Sequence, residues 1–500
     1  MASSSSSNRP GQRSKLLNDY RNKRIANLQL IDLGKHVVEF ALDPQGSRFI
    51  EQKLEHANPT ETAQLVDELR GHVLTLALDK CGCHVIETAL KSVDKASQIE
   101  IINELLAQVL LLSLHKCGSW AIRCVLDHCM EQQKRHVLEQ LHGNVLSLVT
   151  DQYGSFVIRH VIEHGLPEDR EPIVRSLQEN IASLSLHEYG SRVIDHVLEH
   201  CTEQQKRPVL EQLHANLFTL VTDQYGCYVI ERVLEHGRPE DRERIVRSLQ
   251  IASLSFHEYG NRVIRRVLEH CTEPQKRPVL EQLHDNVRSL VTNKHGNHVI
   301  RDVIEHGLPE DRELIVRNLH ENINSLFRHE YGNWVIRCVL EHCTEQQKRP
   351  MLEQLHANLF TLVTDKHGTF LIQLVIEHGL PEDRERIVRS LQGDIMQNTH
   401  LHSFCGIIEK CLIFGTMEQK NALIDQVCAP DNRSGKPPLL KMMKKPFGNK
   451  VVQNMLNVAD SAHRQKLMLA TKTAPIKNTA NRSSESLTHT VQAQQRGSAE

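Results

Sequence analysis

Three observations predict an all-α protein, a curved α-solenoid of about twelve three-helix units. First, long segments recur: EHCTEQQKRPVLEQLHANLFTL at Glu199–Leu220 returns at Glu341–Leu362, changed only from Val209 to Met351. EHGRPEDRERIVRSLQ at Glu235–Gln250 returns at Glu377–Gln392 with Leu380 in place of Arg238. Second, the strong period is about 72 residues and splits into two similar halves of about 36, the mark of a repeat array. Third, each half holds apolar stripes at helical spacing that one unit cannot bury and stacked units can.

Asn144–Gln178 shows the elements in order. NVLSLVTD predicts a short first helix, and Gln152-Tyr153-Gly154 a turn. Ser155 to His164 predicts a second helix with Val157, Ile158, Val161 and Ile162 on one stripe. Gly165 is the expected C-cap. Leu-Pro-Glu-Asp then opens a third helix, with Pro167 in the first turn and acids at the positive end of the dipole.

The residue after the small turn falls at Ser47, Cys83, Ser119, Ser155, Ser191, Cys227, Asn261, Asn297, Asn333, Thr369, Cys405 and Asn449. Most steps are 36; Cys227 to Asn261 is 34, because the Glu179-Asn180 pair has no counterpart at Gln250–Ile251. Cys405 to Asn449 is 44, through an inserted loop near Ala429–Leu440. The expected organisation is a disordered Ser-rich segment 1–13, a repeat domain 14–473 and a disordered polar tail 474–500. The repeats fall near 35–70, 71–106, 107–142, 143–178, 179–214, 215–250, 251–284, 285–320, 321–356, 357–392, 393–436 and 437–473.

Composition narrows the function. No stretch approaches 18 consecutive apolar residues, which argues against a membrane-spanning helix. Thirteen scattered cysteines without an export signal point to reduced thiols and a cytoplasmic location. Sixty Lys plus Arg against 62 Asp plus Glu leave a net charge of −2, so a generally basic nucleic-acid binder is not expected. Charge segregated by face remains open.

The first, second and fifth residues of each second helix carry that segregation. They are Ser47-Arg48-Glu51, Cys83-His84-Glu87, Ser119-Trp120-Arg123, Ser155-Phe156-Arg159, Ser191-Arg192-Asp195 and Cys227-Tyr228-Glu231. Then follow Asn261-Arg262-Arg265, Asn297-His298-Arg301, Asn333-Trp334-Arg337, Thr369-Phe370-Gln373, Cys405-Gly406-Glu409 and Asn449-Lys450-Gln453. The first slot is small or polar, the second flat or cationic except at Gly406, and the fifth charged or hydrogen-bonding. Nine cations stand in the second and fifth slots against five acids. Flat rings and guanidinium planes stack on nucleobases, and polar neighbours can reach a base edge.

These motifs carry a resemblance. GSRFIE, DQYGSFVIRHVIEHG, DQYGCYVIERVLEHG and FGNKVVQNM are similar to the turn-plus-helix motifs of the Pumilio-type (PUF) RNA-binding family. So are SKLLNDYRNKRIANLQL before the first repeat and LIDQVCAPDNRSGKPPLLKMMKK before the last, so that the likeness runs from about Ser14 to Ala470. The array is longer than a typical member's, and the family's C-terminal capping segment is not recognisable after Ala474. The resemblance implies an armadillo-like superhelix binding single-stranded RNA on its concave face, one base per repeat, with the last repeat at the 5′ base. It implies that Asn with Gln reads uracil, Ser or Cys with Gln adenine, Ser with Glu guanine, and Ser with Arg cytosine. Carried over slot by slot, the expected target is 5′-UGAYYYRGCCRG. It further implies messenger-RNA 3′ untranslated regions as targets, repression or decay as outcome, and protein co-regulators on the convex face or the 429–440 loop. The expected state is monomeric, with no membrane, cofactor, metal or catalytic role.

Other readings stand beside it. Arg159 could pair with Asp195 and Glu231 with Arg265, giving a ladder of surface ion pairs without base readout. A peptide-binding solenoid scaffold would show no salt-dependent affinity for RNA. A nucleolar relative with little sequence preference would need broad basic patches. The 31 histidines mostly recur in EHC, EHG, LHEYG and EQLH copies and read as structural, and Cys81-x-Cys83 lacks partners for zinc.

Overall fold

The computed structural model describes residues 13–398, 401–430 and 436–472. The expected disordered ends, apart from Arg13, and residues 431–435 of the inserted loop lie outside that set. Helices and short connections make up the described residues, with no strand among them. The chain divides into two compact units at Leu249–Gln250, the point where the Glu-Asn pair is missing.

The fourth repeat reproduces the expected elements closely. Its helices span Val145–Val149, Gly154–His164 and Pro167–Leu177. The stripe Val157, Ile158, Val161 and Ile162 is buried, and so are Leu148, Ile173 and Leu177 from the flanking helices. Burying each such side chain contributes roughly 1.5–3 kcal/mol. Within each unit every second helix packs on the next, which closes the stripe that a single repeat would leave in water. In two places the third helix runs on unbroken into the following segment, at Glu273–Leu290 and Pro381–Asn398.

The second helices start on a recurrent cap. Asp151 Oδ1 accepts from the amides of Tyr153 and Gly154, both at 2.8 Å. Asp79, Asp223 and Asp365 do the same, and Asn293 substitutes its amide oxygen. In the alternate repeats the acceptor is a ring nitrogen: Nδ1 of His115, His187, His257 and His329 takes the equivalent two amides at 3.2–3.3 Å. His115, His187, His257 and His329 therefore cap the second helices, which gives these copied histidines a definite task. The next residue must be small: a Cβ on Gly154 would lie 2.6 Å from the Leu148 carbonyl oxygen. At the other end Gly165 is the C-cap, but its backbone is extended (φ −71°, ψ 165°), so Cys201 fills the same place with nearly the same angles. A left-handed glycine is not needed there.

Four histidines make stability depend on pH. Burial pushes His160, His196, His284 and His298 below the ordinary imidazole value, against the pull of Asp127 on His160 and Asp311 on His284. The folded state thus binds fewer protons than the unfolded chain. Their contribution is present above the unfolded value of about 6.5 and is lost as pH falls through the folded values. The melting temperature is expected to fall between about pH 7 and pH 5. A flat profile over that window, by circular dichroism at constant ionic strength, would exclude this linkage.

Candidate nucleic-acid interface

The three slots lie at different depths. The first slot is recessed: Ser47, Cys83, Ser119, Ser155, Ser191, Cys227, Asn261, Asn297, Asn333, Thr369 and Cys405 are all buried, and Asn449 is half-buried. Most of them bond the turn that precedes the helix. Ser155 Oγ donates to the Gln152 carbonyl at 2.9 Å, and Ser119, Ser191 and Thr369 repeat the contact at 3.1–3.3 Å. The Cys83 and Cys227 thiols reach the equivalent carbonyls at 3.7 Å. Asn261 and Asn297 each direct Nδ2 at two turn carbonyls, whereas Asn333 bridges Phe327 and His367 at 3.0 Å. Burial pushes the Cys83 thiol up to about 12 and Cys405 to about 11, so both are neutral weak donors rather than nucleophiles.

The second slot projects. Trp120, Phe156, Tyr228, Trp334 and Phe370 are large rings left between 38% and 59% exposed, where burial would be expected of ordinary core residues. Arg48, His84, Arg192, His298 and Lys450 project likewise, and Arg262 is half-buried.

The fifth slot is mostly half-buried, with Glu231 buried and Arg337 exposed, and it meets the second slot of the following repeat. Trp120 Nε1 donates to Glu87 of the preceding repeat. The Arg123 guanidinium lies 4.9 Å from the Trp120 ring centre and 5.9 Å from that of Phe156, and Arg159 lies 4.6 Å from Phe156. Trp334 is flanked by Arg301 at 5.8 Å and Arg337 at 5.6 Å. Lys450 bonds Glu409 at 3.2 Å. Where the second slot is Gly406, the Gln373 amide fills the space; a Cβ there would lie 2.9 Å from its Nε2. Rings and guanidinium groups thus lie together in repeats three, four, eight and nine.

Electrostatics sharpen this. Burial lowers Arg123 and Arg159 from the ordinary arginine value, and for Arg159 the nearby Arg192 and Arg123 add to it. Nε of Arg123, Nε of Arg301 and Oδ1 of Asn449 are buried without a hydrogen-bond partner. Burial raises the Glu51 carboxyl and lowers His298, whose ring is also near Arg265 and Arg301. Asp195 is held by Arg232 at 2.7 and 3.1 Å, not by Arg159. Arg265 is held by Asp302 at 2.5 and 3.4 Å. Both pairs join residues 37 apart, so pairing opposite charges one repeat on in the sequence selects other partners, and stacking decides which is made.

One group has metal-ligand geometry among the described residues. His196, Glu199 and His200 bring ligand atoms within 4.8 Å of one another on the fifth repeat's second helix. All thirteen cysteines are free thiols, twelve of them buried, and no described helix is long and apolar enough to cross a membrane.

Stacked three-helix repeats with a recessed first slot and a projecting, mostly flat or cationic second slot define a helical repeat protein with a row of exposed flat side chains. Comparison with known proteins gives the family. The Pumilio-family RNA binding repeat matches at 36–70, 72–106, 108–142, 144–177, 180–214, 216–249, 250–284, 286–320, 328–356, 358–391, 405–428 and 439–470. The chain belongs to that family, which is one of RNA-binding repeats and not of enzymes. It is 55% identical over 60 residues to Pumilio homolog 2 of Xenopus laevis and to Maternal protein pumilio of Drosophila melanogaster. Each match covers 12% of this chain and 5% or 4% of the relative's length. Among solved structures, the Puf3 RNA binding domain bound to Cox17 RNA aligns at TM-score 0.54 and 23% identity, over 70% of this chain and 96% of that one. PUF-6 in complex with 5BE13 RNA aligns at TM-score 0.54 and 16% identity, over 71% and 99%. At such identities these two establish the fold.

Proposed function

We propose that this protein binds single-stranded RNA sequence-selectively, one base per repeat. The supporting observation is the exposed row of flat side chains, each beside a recessed first slot and a fifth slot of defined donor or acceptor character. Bases stack between successive second-slot side chains, at about 1–3 kcal/mol for each. Pairing edges then meet the fifth slot. A carboxylate accepts only and suits the N–H groups of guanine; a guanidinium donates only and suits the acceptors of cytosine. The slots give 5′-UGAYYYRGCCRG as the starting target, with Asn449/Gln453 at the first base and Ser47/Glu51 at the last. The PUF domains it resembles were solved with RNA, one of them with a 3′ UTR recognition sequence. By that likeness the targets are messenger 3′ untranslated regions and the outcome is repression or decay through recruited protein co-regulators, in the cytoplasm.

The test is selection of the purified chain against a random single-stranded RNA pool. A motif opening with UG, with two adjacent C positions seven and eight bases after the G, is the expected result. Absence of any enrichment would remove base readout and favour a peptide-binding scaffold.

A further inference from the structure

We propose that the bases over repeats five and seven are not read, because the sixth residue of the next second helix occupies the fifth slot that would read them. The sixth residue of one repeat is thus a specificity-determining position for the repeat before it. This rests on the RNA reading above.

In five repeats the sixth residue contacts the preceding fifth slot, whereas His160 and Lys410 reach one turn further, to Asp127 and Glu377. Cys124 Sγ reaches the backbone carbonyl of Glu87 at 3.8 Å, and Cys338 Sγ that of Arg301 at 3.6 Å. A thiol there touches only the backbone. In repeats six and eight the sixth residue, Arg232 or Asp302, is charged, and it takes the fifth-slot side chain of repeat five or seven. Arg232 donates Nε to Asp195 Oδ1 at 2.7 Å and Nη2 to Oδ2 at 3.1 Å. Both carboxylate oxygens are engaged, and those are the two acceptors that the adjacent N–H groups of guanine would need. In repeat seven the charges are exchanged: Asp302 accepts from Nε and Nη2 of Arg265, the edge of the guanidinium that would meet cytosine. Forked pairs of this kind are the strong ones, and Asp195 and Asp302 keep only 30% and 20% of their side-chain surface in water. Repeat eleven shows the contrast. Asn454 at 2.9 Å and Lys450 at 3.2 Å both fall on Glu409 Oε1, so the carboxylate is oriented while Oε2 stays available.

With the last repeat at the first base, repeats five and seven meet bases eight and six. The target becomes 5′-UGAYYNRNCCRG, with bases six and eight unread. The experiment measures affinity of the full chain for RNAs differing only at base eight, and separately only at base six. The unaltered protein should show less than about threefold spread at each position. Arg232→Ala releases Asp195 and should create about a tenfold preference for guanine at base eight. Asp302→Ala releases Arg265 and should create about a tenfold preference for cytosine at base six. The exchanged pair Asp195→Arg with Arg232→Asp keeps the lock, and base eight should stay unread. A tenfold spread in the unaltered protein, or a flat response in folded Arg232→Ala while the cytosines at bases nine and ten remain selected, overturns this inference alone. Failure of every such RNA to bind overturns the RNA reading with it.

Discussion

Replacing Trp120 and Trp334 together by alanine is expected to weaken binding to the target RNA by about a hundredfold or more, at roughly 1–3 kcal/mol per lost stack. These are the only two tryptophans in the chain, and each stands about half exposed in a second slot. Trp120 is oriented by its bond to Glu87 and by Arg123, and Trp334 lies between Arg301 and Arg337. Neither ring fills the core, so the melting temperature should change little while affinity collapses. Trp→Phe at both sites should recover most of the loss, since a smaller flat ring still stacks. Fluorescence anisotropy with a labelled target decides the matter. A loss of less than about threefold for the double alanine variant would show that the rings do not hold bases.

The second large effect is a change of letter rather than of strength. Arg123→Gln with Arg159→Gln should turn the preference at bases ten and nine from cytosine to adenine. Each position is worth about 1–3 kcal/mol of discrimination, so the double variant should prefer the rewritten RNA by tenfold or far more. The reason is local. Both side chains are partly buried, both guanidinium groups lie over rings, and Nε of Arg123 has no protein partner. A cation so placed gains most from a base that offers acceptors alone, whereas glutamine offers one donor and one acceptor side. Competition between the two RNAs is the measurement. Unchanged preference for cytosine in the double variant would mean that Arg123 and Arg159 serve the phosphate backbone or the rings and do not read a base.

The linear chain is sufficient for much of this. The recurrence of Glu199–Leu220 at Glu341–Leu362 determines that one supersecondary unit is repeated, and the spacing of Val157, Ile158, Val161 and Ile162 determines which stripe is buried. Both follow from periodicity, which is a local property. The same holds for the second slots, where Trp, Arg, His and Lys alternate beside a pair that stays apolar, Val-Ile in seven of the twelve repeats. Depth and partnership are not local. That Ser155 lies at the floor and Phe156 at the rim depends on how the next repeat is stacked. So does the assignment of Asp195 to Arg232 rather than Arg159, and of Arg265 to Asp302. In the sequence these are two charges 37 residues apart among many others; stacking of successive helices brings them within bonding distance, and only there does geometry choose one partner from several.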